Sequence, residues 1–110
     1  MRLELTHWDE AWGPISEKTM RQQLIAAGYN VSRYHYPPGT YFPTHSHEVH
    51  KRDTVLTGRL RIAWPATEDS PAGSVVLEPG DMIEIPAGAR HSAEVVGPET
   101  VLSLDATRNP

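Results

Sequence analysis

GDMIEIPAGARH, residues 80–91, joins a short apolar run to a turn and then to a histidine. Upstream, GTYFPTHSH, residues 39–47, passes through residue types typical of a strand and ends on two histidines separated by one serine. Side chains at positions i and i+2 of a strand point to the same face. His45 and His47 are therefore expected to present two imidazoles to one point. His91, at the start of another inward-facing strand, can supply a third.

Brief segments rich in Val, Ile, Tyr and Thr make up most of the chain after residue 28, and turns containing Pro or Gly separate them. The expected strands lie within residues 29–36, 41–47, 53–64, 74–86, 91–96 and 100–106. Many short strands with this punctuation predict an all-β sandwich or barrel.

One helix is expected before the strands, over about residues 17–27. Ser16 is placed to cap its N-terminus, Ile15 and Met20 have the spacing of a hydrophobic staple, and Gly28 is placed to end it. A chain of 110 residues suits a single domain. We expect residues 1–28 to form an N-terminal segment whose helix packs on a barrel formed by residues 29–110.

Charge and composition exclude several classes of partner. The net charge of −4 offers no basic surface for nucleic acid or for an anionic membrane. No apolar run approaches the roughly 20 residues needed to cross a bilayer, and the first residues lack the form of a secretory signal. A soluble, cytoplasmic protein is expected. Because the chain has no cysteine, nitrogen and oxygen atoms must hold any bound metal.

The two histidine-bearing segments also follow longer spaced patterns. Residues 39–58 read G-x5-H-x-H followed by a distant glycine, and residues 80–91 read G-x5-P-x-G-x2-H. Together they resemble the two motifs of the cupin superfamily, G-x5-H-x-H-x3or4-E-x6-G and G-x5-P-x-G-x2-H-x3-N, and the match covers about residues 39–95. The resemblance implies a double-stranded β-helix, the jelly-roll or cupin barrel, with one short N-terminal helix outside it.

The chain departs from those motifs at two positions, since Lys51 stands where the family has glutamate and Val95 where it has asparagine. A protonated lysine has no lone pair for a metal. Asp53 and Glu84 are therefore the candidates, with Lys51 itself, for a fourth ligand or a supporting role around the metal, and Asp105 is a further carboxylate whose strand can face inward. Asp53 ranks first because it shares the strand parity of Lys51.

A site of three neutral imidazoles leaves coordination positions open and leaves the charge of the ion uncompensated, which favours anionic ligands. The resemblance implies one divalent transition metal per chain, and iron, manganese, nickel, zinc and copper all fit nitrogen ligands. Alternatively, the three histidines are ordinary polar residues satisfied by hydrogen bonds. Lys51 and Arg52 reinforce the preference for anions if they face the cavity. The alternative is an exposed strand end, where both cations are solvated and can pair with Asp53.

Aromatic and apolar side chains are candidates for the wall of a small-molecule pocket. The aromatic ones are Tyr34, Tyr36, Tyr41, Phe42 and Trp64, although packing is the simpler role for most of them. Tyr41 shares the parity of His45 and His47 and is placed nearest the metal. Ile62, Met82 and Arg52 complete the predicted pocket.

The resemblance implies metal-dependent chemistry on a small organic anion, one form of which is a three-histidine iron-dependent dioxygenase or a related oxidoreductase. Fold alone does not settle function, so two alternatives stay open. One is a non-catalytic module that binds a metal or a small effector, and the other is a metal-free isomerase with His45 or His91 as base. Sheet edges that need cover favour a homodimer.

Overall fold

The computed structural model describes residues 3–110, and these form nine β-strands, one α-helix and a short 3-10 helix, Glu10–Trp12. The elements are β1 (Glu4–Thr6), α1 (Glu17–Ala26), β2 (Asn30–Tyr36), β3 (Tyr41–His45), β4 (His50–Thr54), β5 (Arg59–Trp64), β6 (Gly73–Leu77), β7 (Met82–Ile85), β8 (His91–Val96) and β9 (Val101–Arg108). No helix among the described residues has the length and apolar character needed to span a membrane.

The strands form two antiparallel sheets. One sheet has the order β1-β7-β4-β9-β2, and the other has the order β3-β8-β5-β6. Consecutive strands cross from one sheet to the other several times, as in a jelly roll, so the ends of β3, β4 and β8 come together although they are distant in sequence. The predicted all-β jelly roll with one short helix is confirmed.

Alternating burial along the strands creates the core between the two sheets. In β8, for example, every second residue from His91 to Val95 is buried and its neighbours are partly exposed, as period-two side-chain geometry requires. The buried apolar side chains of this core are Val55, Leu60, Ile62, Leu77, Ile83, Ile85, Ala89, Ala93, Val95 and Val101.

Helix α1 covers the outer face of the five-stranded sheet. The Ser16 side chain accepts a hydrogen bond from the Thr19 N–H at 3.2 Å, which satisfies one free donor of the first turn. Met20 and Leu24 are fully buried against the sheet in a second core. Gly28, at φ +88°, ends the helix where a side chain would be strained.

The N-terminal segment does more than carry this helix. Residues 4–6 form β1, which pairs with β7 and becomes the edge of the five-stranded sheet. His7, which follows β1, places its Nδ1 atom 2.7 Å from a carboxylate oxygen of Asp81. The segment predicted for residues 1–28 therefore contributes a strand to the barrel, a feature that three residues are too few to signal. Met1 and Arg2, with which that segment begins, lie outside the described residues.

Candidate metal centre

His45 and His91 face each other across two neighbouring strands. His45 is the last residue of β3, His91 is the first residue of β8, and their Cα atoms are register partners in the antiparallel pair. Their ring centroids lie 4.4 Å apart. The pairing register alone therefore brings two of the three predicted ligands together.

His47 joins them from the connection between β3 and β4, because β3 ends two residues earlier. Its backbone carbonyl accepts a hydrogen bond from the Gly88 N–H at 2.8 Å, which fixes the connection against the turn that precedes His91. The ring of His47 lies 4.7 Å from that of His45 and 5.4 Å from that of His91, centroid to centroid. One nitrogen from each of the three rings lies within 4.8 Å of the other two.

The hydrogen bonds of these rings leave nitrogen lone pairs for a ligand. The Nδ1 atom of His45 lies 2.6 Å from the Pro43 carbonyl oxygen, and that of His91 lies 3.0 Å from the Ala89 carbonyl oxygen. Because a carbonyl oxygen only accepts, each Nδ1 carries the proton and each Nε2 keeps its lone pair. The Nε2 atom of His47 is buried and has no hydrogen-bond partner. Three convergent nitrogens, one of them unsatisfied, suit a metal ion.

The surroundings favour the neutral forms of His47 and His91. Burial, followed by the nearby charge of Lys51 and the neighbouring rings, lowers the pKa of His47 to about 4. Burial also lowers the pKa of His91, although the Ala89 carbonyl partly opposes this change. Neutral imidazole is the form that ligates metals.

The three rings line a cavity of about 370 Å³ between the two sheets. The rest of its wall consists of three aromatic side chains, two aliphatic ones and four polar or charged ones: Tyr34, Tyr36, Phe42, Leu60, Ala93, Lys51, Asp53, Ser103 and Asp105. This volume is in the range of small-molecule sites, and a mainly apolar wall with a few polar groups is typical of them.

Three of the four polar or charged residues in this wall form an ion triad. The Lys51 ammonium lies 3.0 Å from Oδ2 of Asp105 and 3.4 Å from Oδ1 of Asp53, and all three side chains are largely buried. Asp53 and Asp105 are cross-strand partners on β4 and β9. Two like charges directly opposite each other are destabilising, so Lys51 compensates a repulsion that the register imposes. Oδ1 of Asp105 is buried and has no hydrogen-bond partner.

Both members of the closest pair in the triad have altered pKa values. Burial penalises the charged form of Lys51, but Asp53 and Asp105 outweigh it and raise the pKa of its ammonium. Burial, together with the charge of Asp53, raises the pKa of the Asp105 carboxyl against the opposing effect of Lys51. Lys51 thus stays charged, and its charge is directed at two carboxylates.

Two of the predicted pocket or supporting residues lie on the outer face of the five-stranded sheet instead. Strand alternation turns Arg52 away from its inward neighbours on β4, and its cross-strand partner Glu84 shares that face. The Arg52 guanidinium lies 4.8 Å from the ring centroid of Tyr29 and 3.8 Å from a carboxylate oxygen of Glu84. Glu84 also accepts a hydrogen bond from the Tyr29 hydroxyl at 3.0 Å. Neither side chain lines the cavity.

Tyr41 is 59% exposed and lies outside the cavity, whereas its neighbour Phe42 lines it. The register of β3 shifts between Phe42 and His45. Because of this irregularity, residues before it that share the parity of His45 point outward instead of inward. The prediction from strand parity therefore placed Tyr41 in the cavity instead of Phe42.

Ile62 and Met82 are core residues. Ile62 is fully buried between the sheets, and Met82 packs beneath α1 with Met20 and Leu24. Nothing in the sequence indicated that Leu60, Ala93 and Ser103 line the cavity, because their positions there depend on how strands from both sheets meet.

His50, the first residue of β4, contacts the turn before β8. Its Nδ1 atom accepts a hydrogen bond from the Ala87 N–H at 2.9 Å. Together with the contact from Gly88 to His47, this bond ties both central residues of that turn to the β3–β4 connection. His35 is exposed on β2.

A small jelly roll with histidines at the ends of facing strands is the class that this fold and site define. The chain belongs to the cupin family, whose domain matches residues 32–106. No curated protein matches the sequence.

Several solved structures share the fold. Acireductone dioxygenase from Bacillus anthracis, with a cadmium ion in its active centre, has a TM-score of 0.74 and 16% identity, over 96% of this chain and 77% of that one. Oxalate decarboxylase from Bacillus subtilis, which has Mn(II) centres, has a TM-score of 0.63 and 21% identity, over 72% of this chain. The match covers only 21% of the decarboxylase chain.

The conserved SPY1581 protein of unknown function from Streptococcus pyogenes has a TM-score of 0.59 and 23% identity, over 74% of this chain and 65% of that one. At these identities the similarity of all three proteins to this chain shows the fold.

Proposed function

We propose that this cupin holds one divalent transition metal per chain through His45, His47 and His91 and acts on a small organic anion in the same cavity. The observation that carries the proposal is the buried Nε2 atom of His47, which has no hydrogen-bond partner and belongs to a cluster with two other imidazoles. An unsatisfied buried polar atom is costly, and a metal ion would satisfy it.

A divalent metal held by His45, His47 and His91 would supply a Lewis acid that polarises a bound anion. The residues of the chain then bind and orient the anion. The Pro43 and Ala89 carbonyls hold two of the rings in one tautomer, and aromatic side chains form part of the cavity wall that would contact the anion.

In its specific form, the proposal is an iron-dependent dioxygenase, which inserts both oxygen atoms into the substrate and so needs no external reductant. The three nitrogen ligands and the fold shared with acireductone dioxygenase support it. Because imidazoles also accept manganese, nickel, zinc and copper, elemental analysis decides the metal. The homodimer and the cytoplasmic location stay predictions.

The test begins with elemental analysis of protein purified without an affinity tag. We expect about one transition metal per chain in the wild type and none after His47→Ala. His35→Gln is the matched control because it removes an exposed histidine of β2, and it should keep the metal. A wild type that binds no metal would overturn the proposal.

Oxygen consumption by the iron-loaded protein is then measured with small carboxylates and diketones. Uptake that requires both the metal and an added substrate supports the dioxygenase. Metal and anion binding without oxygen uptake for any of them favours the non-catalytic binding module.

A further inference from the structure

We propose that the preferred ligand of this cavity is a small monoanion that also carries a hydrogen-bond donor, as a 2-hydroxy carboxylate does, and that Asp105 accepts from that donor. The inference rests on the proposed metal centre and deepens it by naming the class of ligand.

Charge favours a monoanion. The cavity contains three imidazoles, which are neutral when they ligate a metal, the ammonium of Lys51 and the two carboxylates of Asp53 and Asp105. The ammonium cancels one carboxylate, so the protein contributes one net negative charge. A divalent ion reverses this to one net positive charge, which a monoanion neutralises. A dianion would leave an uncompensated negative charge in a largely buried site, and such a charge is costly there.

The unsatisfied oxygen of Asp105 favours a ligand that carries a hydrogen-bond donor. Its Oδ2 atom contacts the Lys51 ammonium at 3.0 Å, whereas its Oδ1 atom is buried and has no hydrogen-bond partner. A carboxylate oxygen can only accept a hydrogen bond. The group that satisfies it must therefore be a donor such as a hydroxyl. Because Asp105 and the three rings line one cavity, a single small molecule can contact both.

The apolar part of the remaining wall favours a ligand with a short hydrocarbon body. Phe42, Leu60 and Ala93 are apolar and line the cavity on the side of the four-stranded sheet. They suit a short hydrocarbon body and offer no partner to a second carboxylate. A compact molecule with its polar groups at one end fits this division.

The test uses zinc-loaded protein, because zinc has no redox chemistry and the ligands are not consumed. Lactate, propionate and malonate are titrated calorimetrically, and metal content is measured after each titration. Lactate and propionate differ only by the hydroxyl, and malonate is the dianion. We expect lactate to bind about tenfold more tightly than propionate, as one satisfied buried acceptor implies. Malonate should bind more weakly than lactate.

Asp105→Asn and Asp53→Asn each remove one negative charge, but only Asp105→Asn removes the unsatisfied acceptor. Comparing the two variants therefore separates the effect of charge from the effect of the hydrogen bond. In Asp105→Asn the amide oxygen is held towards Lys51, so the amide NH2 replaces the free acceptor. The preference for lactate over propionate should then disappear. Asp53→Asn leaves Oδ1 of Asp105 in place and should keep that preference. Malonate should bind more tightly to both variants than to the wild type, since each loses one negative charge.

A wild type that binds lactate and propionate equally would overturn the inference while leaving the metal centre intact, and so would an unchanged preference in Asp105→Asn. A hydroxyl that contacts only the metal would give that second result. A wild type that binds no zinc would overturn the metal centre and the ligand class together.

Discussion

Lys51 occupies a position where the family motif has a metal-ligating type of residue, and its surroundings show why a cation is stable there. Asp53 and Asp105 are opposed across β4 and β9, and the Lys51 ammonium contacts both carboxylates. A glutamate at this position would place a third carboxylate beside the other two. The cation therefore belongs with the two aspartates as a unit, and a change to one member alters the others.

Lys51→Met tests this unit. The substitution keeps the length of the side chain but leaves two carboxylates largely buried without their counter-ion. We expect the free energy of unfolding at pH 7 to fall by about 3 kcal/mol, as measured by urea denaturation.

The control combines Lys51→Met with Asp53→Asn and Asp105→Asn, which replaces the triad with neutral groups of similar size. Most of the lost stability should return, because no unpaired charge remains in the cavity. A triple variant no more stable than Lys51→Met would show that packing of the lysine stem, rather than its charge, stabilises the site.

His47 makes the metal-free protein sensitive to acid. Burial, first, and the nearby charges lower its folded pKa from 6.5 to about 4. Between these values the unfolded chain binds more protons than the folded one, so the free energy of unfolding falls as the pH falls from about 6.5 to 4. Because the ring is partly exposed, solvent screening limits the loss to about 2 kcal/mol.

Urea denaturation of the metal-free wild type and of His47→Gln over this pH range measures the effect. The variant should lose less stability on acidification, although His91, whose pKa is also lowered, keeps part of the slope. Identical slopes would mean that folding does not lower the pKa of His47.

At the scale of elements, the site depends on the turn before β8, which the β3–β4 connection and the first residue of β4 hold by hydrogen bonds. The residues before β8, Pro86–Ala89, turn through Gly88 at φ +82°. Their N–H groups donate to the His47 carbonyl and to Nδ1 of His50. The β3–β4 connection thus fixes the start of β8, and with it the position of His91.

His50→Phe tests this contact, since phenylalanine fills the space without an acceptor. The turn should loosen, and the metal affinity measured by calorimetry should fall about tenfold, as for other residues that support ligands. His50→Asn is the control, because its amide oxygen can replace Nδ1 as the acceptor. Unchanged affinity in His50→Phe would show that the Gly88 contact is sufficient.

The elements also show where counting along the sequence fails. The helix ends and most of the strands follow from local chemistry, such as the Ser16 cap and the positive φ of Gly28. Two errors follow from treating residues 41–47 as one regular strand. The register shift in β3 exchanges Tyr41 for Phe42 in the cavity wall, and His47 lies beyond the end of the strand. A bulge depends on the partner strand, so sequence periodicity does not reveal it.

At the scale of the whole molecule, two apolar cores lie on opposite faces of the five-stranded sheet. One lies between the sheets, and the other lies beneath α1. Spaced motifs in the sequence were enough to predict the jelly roll and the clustering of the three histidines. The ion triad was not predicted as a unit, although Lys51, Asp53 and Asp105 were each considered, because its formation depends on the register between β4 and β9.

This arrangement separates folding from metal binding. The three histidines cluster at the strand ends of one cavity, and both cores pack through apolar side chains. We therefore expect the double variant His45→Ala/His47→Ala to unfold cooperatively in urea while binding no metal. In the wild type, free metal at about 100 times its dissociation constant should add about 2.7 kcal/mol to the free energy of unfolding.

Urea denaturation with saturating zinc and with EDTA, applied to both proteins, makes the comparison. Zinc should stabilise the wild type and leave the double variant unchanged, because only the folded wild type binds the ion. If the wild type lost its cooperative transition in EDTA, the metal would be required for the fold itself. The apolar contacts of the two cores would then be too weak to hold the sheets together, and the histidine cluster would be a structural site rather than an open one.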